Sequence, residues 1–481
     1  MIRMNLRISL ILIFAITAFR IVMLRYDTTN LFVDEAQYWM WSQHLAFGYY
    51  SKPPMIAWVI HFFTWLGGSQ EIFWVRVGSP ILHMITALIL IPAATRLTGS
   101  RQVGAWSGIA YATLPGVALS SIFMSTDTVL FPFLAMTLLC YSYLIERRSV
   151  GLALLMGVCI GFGTLSKYAM LYFAATAILS AIFLPKARMA LRDTALAIFA
   201  TIVVIAPNIW WNMANGGATL KHTSDNADWH GLNFHLDDAA AFFGSQFGVI
   251  GPVLFGAMVM VFYRLVRGKA STTEKHLFIL SWPIVLVIVV QALISHAYAN
   301  WAATAYAAGV ILAVLYLLHA KERLLTTSLV INGITSIIFP FLAVYAQQIT
   351  LPNGVPVLNR YLGRADLSWN IAAAAGRAGT ATIVADNRDI LADLFYTLRD
   401  EPFTIRARSN GDFPHNYYEQ EFPLTSASGD EPVIFVTEEN VSCHGTMIDP
   451  IADLTPTRGY MGGRKIKAYV VPASCLTNRL T

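Results

Sequence analysis

Leu6 to Leu24 reads LRISLILIFAITAFRIVML, and one short loop later comes Asp34-Glu35-Ala36-Gln37-Tyr38-Trp39. A bilayer core takes roughly 20 apolar residues per helical crossing, so the first stretch is long enough to span. No small-residue cleavage site follows it, and it is expected to remain as a transmembrane helix rather than be removed as a signal peptide. Two adjacent carboxylates at a membrane exit are costly unless they face water or do chemistry. A little further on, Gly48-Tyr49-Tyr50-Ser51-Lys52-Pro53-Pro54 carries a lysine whose backbone the prolines restrict.

The rest of the chain extends this pattern. It has 481 residues, 56% of them hydrophobic and 13% charged, where a soluble domain carries about 25% charge. The fold class expected is a polytopic α-helical membrane protein with one soluble part. About eleven candidate spans of the necessary length can be read: 6–24, 74–95, 103–121, 127–145, 150–166, 168–185, 194–211, 240–263, 277–294, 302–318 and 325–346. The fifth and sixth are short, and only Ser166-Lys167 separates them, so they also fit a re-entrant or broken pair.

With the N-terminus placed in the cytoplasm, the loops on that side carry Arg96 and Arg101, Arg147 and Arg148, Lys186, Arg188 and Arg192, Arg264 to Lys275, and Lys321 with Arg323. The other side holds isolated lysines, Lys52, Lys167 and Lys221. Basic residues favour the cytoplasmic side. The asymmetry therefore puts the Asp34 loop, the start of the Asp127 helix, the 212–239 loop, the 295–301 loop and the C-terminal tail outside. In a bacterium that is the periplasmic face of the inner membrane. The formal net charge of +5 is scattered over short loops and is no signature of nucleic-acid binding.

Residues 26–73 are too apolar for a free loop. Trp39, Trp41, Trp58, Phe62, Phe63 and Trp65 suggest two helices, about 33–46 and 54–66, lying in the membrane interface. Residues 1–346 are thus expected to form the transmembrane catalytic domain. From Gln347 the long apolar runs stop. Strands at 382–385, 432–437 and 466–471 with a helix at 388–399 imply a small outer α/β domain over 347–481. Cys140 and Cys159 lie in apolar runs. Cys443 and Cys475 lie in the polar tail and can pair there if it faces an oxidising compartment.

Each candidate site residue has a plainer reading beside it. Asp34 fits a general base and Glu35 a supporting or metal-facing carboxylate, or both simply favour a helix N-terminus. Lys52, with Tyr50 next to it, suits a phosphate leaving group, or it snorkels to lipid headgroups. Asp127 follows Ser125 and Thr126 and is either a second acidic site residue or part of an N-cap. Lys221 and His222 gather on the same side and are candidates for the lipid phosphate or the sugar, in what is otherwise an ordinary polar loop. Asn300 and Tyr306 are candidate phosphate or sugar contacts within an aromatic belt. No zinc-type spacing is present. No cofactor is certain, and a divalent cation is left open.

Together these motifs resemble the integral-membrane GT-C glycosyltransferases, of the family 39 type with its aminoarabinose- and galacturonate-transferase relatives. The order agrees: an acidic pair in the first outer loop, a Lys-Pro motif, a second Asp at a later outer helix start, then an outer C-terminal domain. The resemblance covers the chain to about residue 310. It implies an inverting transfer of a sugar from a polyprenyl-phosphate donor to a hydroxyl of a lipid or glycolipid acceptor. Asp34 would match the catalytic acid position, Lys52 the donor-phosphate lysine and Asp127 the second acidic position, with His222 a looser match. Ser51 departs from the acidic residue that aminoarabinose transferases carry there. The pattern is closer to the bacterial branch acting on lipopolysaccharide core or lipid A, galacturonosyl transferases included. Protein O-mannosyl transfer and a flippase for lipid-linked substrates are the alternatives. A flippase needs charge along a path through the bilayer, whereas the polar residues here cluster on one face.

Overall fold

The structure, a computed structural model, describes residues 4–217, 219, 234–408, 414–425 and 429–477. The chain divides into two compact units: Met1–Tyr26 with Ala46–Phe341, and Asp27–Leu45 with Leu342–Thr481.

The first unit is helical. Among the described residues, seven helices are long and apolar enough to cross a membrane: Leu6–Arg25, Ile72–Thr98, Thr126–Leu144, Leu191–Ala214, Thr272–Ile294, Ala299–Ala320 and Glu322–Val344. Met55–Gly67, Val150–Ser166, Tyr168–Phe183 and Pro252–Val266 are shorter apolar helices. Two of the runs read as single spans are broken by proline. The 103–121 run becomes Arg101–Ala112 and Pro115–Ser120, because Pro115 has no N–H to continue the ladder and disfavours helix in the residue before it. The 240–263 run breaks at Gly251-Pro252, with Gly251 at φ 93°.

Small residues let the helices approach. A Cβ on Gly157 would stand 2.2 Å from the Ala197 carbonyl oxygen, so Val150–Ser166 and Leu191–Ala214 pack nearly backbone to backbone, as membrane helices commonly do. Several polar side chains inside the bundle are paired. Arg20 donates to the Ala112 carbonyl at 2.8 Å, and His83 bridges the Tyr111 hydroxyl at 2.9 Å and the Ser120 hydroxyl at 2.8 Å.

The second unit is built on a five-stranded sheet: β1 (Thr382–Ala385), β2 (Thr404–Ala407), β3 (Pro432–Thr437), β6 (Ala452–Asp453) and β7 (Lys467–Pro472). The short hairpin of β4 (Ser442–Cys443) and β5 (Thr446–Met447) lies apart from it. The sheet order is β2-β1-β3-β7-β6. The first three strands are parallel and the rest antiparallel. Strands β1 and β3 are almost wholly buried, which explains their unbroken Ile/Val/Phe runs. A disulfide joins Cys443 to Cys475, whose Cα atoms are 5.4 Å apart.

The helix Val33–Gln43 belongs to this unit. It packs on the helix Arg388–Thr397 and buries Trp39 against Tyr396 and Trp41 against Tyr417, with ring centroids 4.9 and 5.7 Å apart. Trp39 and Trp41 are covered by protein, whereas Phe62 and Trp65 of the helix Met55–Gly67 are exposed.

Candidate functional site

The candidate residues fall in both units. In the second, Val33–Gln43 begins after Phe32, and Glu35 Oε2 accepts from the Phe32 N–H at 3.0 Å. Glu35 is thus the returning carboxylate of a helix N-terminal cap, and it is buried. Asp34, its neighbour, points elsewhere. Its side chain is 45% exposed and meets Arg388 Nη2 at 2.6 Å. Arg388 Nε donates to Gln37 Oε1 at 2.9 Å. Asp34 and Gln37 are one helical turn apart, so a single guanidinium fork reaches both acceptors. Arg388 is the first residue of its own helix, whose N-cap is Asn387. Burial pulls the guanidinium down, but Asp34, with Tyr418 and Tyr38, more than offsets this and raises it above its ordinary value. Arg388 therefore stays charged beside Asp34.

The first unit holds a second constellation. Ser125 caps Thr126–Leu144 through the Thr128 N–H at 3.2 Å, which releases Asp127 from that duty. Asp127 is buried and accepts from Lys167 Nζ at 2.8 and 2.9 Å. Asn300 Nδ2 donates to it at 2.8 Å. Lys167 lies in the extended break between Val150–Ser166 and the segment that begins at Tyr168. The interruption read from sequence is therefore where the bundle presents a cation to Asp127.

Tyr306 is buried and donates to Gln246 Oε1. Gln246 in turn reaches the Ala299 carbonyl at 3.2 Å. This ties Tyr306 into helix packing, away from any surface a substrate could touch directly.

Lys52, Tyr50 and Ser51 precede the helix Met55–Gly67. Tyr49 is buried in the same loop and accepts from the Ala46 N–H at 3.0 Å. Burial pushes its hydroxyl up to about 12. The Phe47 carbonyl accepts from Asn208 at 2.6 Å, and a Cβ on Gly48 would come within 2.3 Å of Trp211. The lysine loop is thus moulded on Leu191–Ala214. Lys221 and His222 lie outside the described residues.

The sequence reading missed Arg388 and did not select Lys167. Arg388 lies hundreds of residues from Asp34, and no local pattern could pair them. Lys167 did carry a signal, as a lone lysine interrupting an apolar stretch of helical length.

Among the described residues, the groups of three or more His, Cys, Asp or Glu close enough to share an ion are Cys443, His444 and Cys475, and His235, Asp237 and Asp238. The first includes the disulfide. Neither includes Asp34, Glu35 or Asp127.

The crystal structure of ArnT from Cupriavidus metallidurans bound to undecaprenyl phosphate has the same fold, with a TM-score of 0.66 at 15% identity, over 98% of this chain and 99% of that one. Residues 51–211 match the dolichyl-phosphate-mannose-protein mannosyltransferase family. In sequence the chain is 47% identical over 474 residues to the lipid A galacturonosyltransferase RgtD of Rhizobium johnstonii, covering 98% of this chain and 100% of the relative. The lipopolysaccharide core galacturonosyltransferase RgtB of the same organism is 26% identical over 246 residues, half of this chain and 49% of RgtB. The chain belongs to the GT-C integral-membrane glycosyltransferases, in the family of RgtD. It is a multi-pass membrane enzyme that transfers sugars.

Proposed function

We propose that this enzyme moves a galacturonosyl unit from a polyprenyl-phosphate donor to lipid A, with inversion at the anomeric carbon. The observation that carries the reading is the 47% identity that runs end to end with a lipid A galacturonosyltransferase. A match over one domain would support only the chemistry. A match over both units supports the acceptor as well. The mannosyltransferase family match is confined to residues 51–211 and gives no comparable support for a protein acceptor.

In this reading Asp34 takes the proton of the acceptor hydroxyl as its oxygen attacks the anomeric carbon, and Lys52 meets the charge that develops on the departing polyprenyl phosphate. The donor is already anchored in the bilayer by its lipid, so no nucleotide-binding loop is needed. Asp127 has both oxygens held by Lys167 and Asn300 and serves to fix the break in the bundle. We assign the charge on the leaving phosphate to protein cations, so chelation with EDTA should change the rate by less than about twofold. A loss restored only by a divalent cation would overturn that assignment.

We read the reaction side as periplasmic, and the loop-charge asymmetry supports this. The Cys443–Cys475 disulfide is a second support for that reading, since such bonds persist in oxidising compartments.

The test uses the full-length protein in nanodiscs with polyprenyl-phosphate galacturonate and purified lipid A. Mass spectrometry should show one hexuronic acid added to lipid A. No product with lipid A, but product with lipopolysaccharide core or with a peptide acceptor, would reject the acceptor named here.

A further inference from the structure

The helix Glu322–Val344 is long and apolar enough to cross a membrane. Val330, Ile334, Ile337, Phe341 and Tyr345 are exposed at steps of three or four residues, which is one helical face. In a membrane enzyme an exposed apolar face of such a helix meets lipid. Just beyond it the chain folds into a hairpin over 349–357. The Ile349 N–H still donates to the Tyr345 carbonyl at 3.0 Å, which is a helical step. At about 1.5 Å of rise per residue, Ile349 lies about 8 Å past the end of the span, and a headgroup layer is about 5–8 Å thick. A second span ends at the same level. Thr28, just after Leu6–Arg25, donates through its N–H and its hydroxyl to the Ala343 carbonyl at 3.3 and 3.1 Å.

The hairpin is closed by its own bonds. The Leu351 N–H donates to the Val355 carbonyl at 2.8 Å and the Val357 N–H to the Ile349 carbonyl at 3.0 Å, with Thr350 opposite Pro356. At the turn, Gly354 has φ 79° and donates to the Leu351 carbonyl at 2.8 Å, and Asn353 Oδ1 accepts from the Val355 N–H at 3.1 Å. Side chains alternate between faces along each strand. Ile349, Leu351, Val355 and Val357 therefore share one face, and they are 37–47% exposed. Thr350 and Pro356 take the other. Water is a poor partner for an aliphatic face, and a lone two-stranded hairpin is marginal in water. The charge suits a membrane too. The hairpin has no charged residue, and no acidic residue lies between Arg323 and Asp366, so nothing there repels an anionic headgroup.

We propose that the hairpin 349–357 is a lipid contact, its aliphatic face seated at the boundary of headgroups and acyl chains in the leaflet where Glu322–Val344 ends. The occupant is the bilayer because the hairpin follows directly from a helix whose exposed apolar face already meets lipid. The unit that holds the hairpin also holds Asp34. The contact gives the unit with the candidate base its own grip on the membrane.

The experiment uses the full-length protein in nanodiscs of phosphatidylethanolamine and phosphatidylglycerol. Leu351→Cys and Val355→Cys each carry a nitroxide label, with Asp400→Cys as the water-exposed reference, since the Asp400 side chain is 82% exposed. Cys140 and Cys159 are buried and Cys443 is joined to Cys475, so the added thiol is the one that reacts, and labelled wild type supplies the blank. Power-saturation EPR is recorded with oxygen, which concentrates in lipid, and with a neutral nickel chelate, which stays in water. The labels at 351 and 355 should meet the chelate several-fold less often than the label at 400 and should meet oxygen more often. Leu351→Asp with Val355→Asp removes apolar side chains but none of the backbone bonds that close the hairpin. A label at Val357→Cys in that background should gain chelate contact several-fold over Val357→Cys alone. Chelate contact at 351 and 355 equal to that at 400, or no change at 357, would overturn the lipid contact. So would protection from both reagents, which means that protein covers the face, and dipolar broadening between labels would identify that protein as a second copy of this chain.

Discussion

Asp34 is the residue on which the proposed chemistry turns, and its surroundings explain why one of two adjacent carboxylates is chosen. Glu35 is buried as a cap acceptor, whereas Asp34 is partly exposed and held by a cation from another element. Asp34→Asn keeps the size of the side chain and an acceptor for Arg388 but removes the base. Sugar transfer should fall about 10²–10⁴-fold with normal membrane insertion, and near-wild-type turnover would sink the assignment. Glu35→Gln should cost much less activity, since an amide oxygen can still accept from the Phe32 N–H. Lys52→Ala should raise the donor KM about tenfold or more and leave the acceptor KM nearly unchanged; equal donor dependence would return Lys52 to a headgroup-anchoring role. Gly48 offers a test that touches no charged group. An added Cβ collides with Trp211, so Gly48→Ala should shift the lysine loop and lower transfer, and Trp211→Ala in the same chain should restore part of it.

At the scale of elements, the interrupted helix at Lys167 is the informative one. Its ammonium and the Asp127 carboxylate meet where the side chains are 23% and 9% exposed. Removing one partner leaves the other with a desolvation cost that nothing offsets. Because the lysine is partly wetted, Lys167→Met should destabilise the bundle by about 1–3 kcal/mol, less than a fully buried pair. Asp127→Asn combined with Lys167→Met should be less harmful than the sum of the single changes. Thermal unfolding in detergent of the three variants measures this, and strict additivity would mean the pair contributes nothing as a pair. The same element shows why part of the architecture was legible in sequence. Apolar runs and the Ser166-Lys167 interruption are local features with local causes, and they marked most helices and that break, whereas the breaks at Pro115 and Pro252 lay inside runs read as single spans. Strands β1, β3 and β7 were legible for the same reason. Strand β2 was not, because Thr404-Ile405-Arg406-Ala407 is short and mixed in polarity and owes its place to pairing with β1.

For the whole molecule, what could not be read was which distant segments share a unit. Asp27–Leu45 follows an apolar helix and is rich in aromatics, and both features suggested a membrane-interface element. Its partners, Arg388, Tyr396 and Tyr417, lie more than 300 residues away, so the assignment of the candidate base to the C-terminal unit depended on long-range contacts alone. The disulfide gives this level its own test. Cys443 and Cys475 are separated by 32 residues, and closing a loop of that size stabilises by about 3–4 kcal/mol in the chain-entropy description. The double variant Cys443→Ser, Cys475→Ser should therefore make the C-terminal unit more susceptible to protease while the helical unit keeps its resistance. Because that unit also carries Asp34 and Arg388, transfer should decline in parallel with its loss of protease resistance on warming. A reporter fused after Gln347 completes the argument: it should be active only as a periplasmic type, in the compartment where the disulfide can form. If the fusion were active in the cytoplasm and the two cysteines were recovered reduced from membranes, the placement of the reaction side would be reversed, even with the fold and the Asp34–Arg388 pair intact.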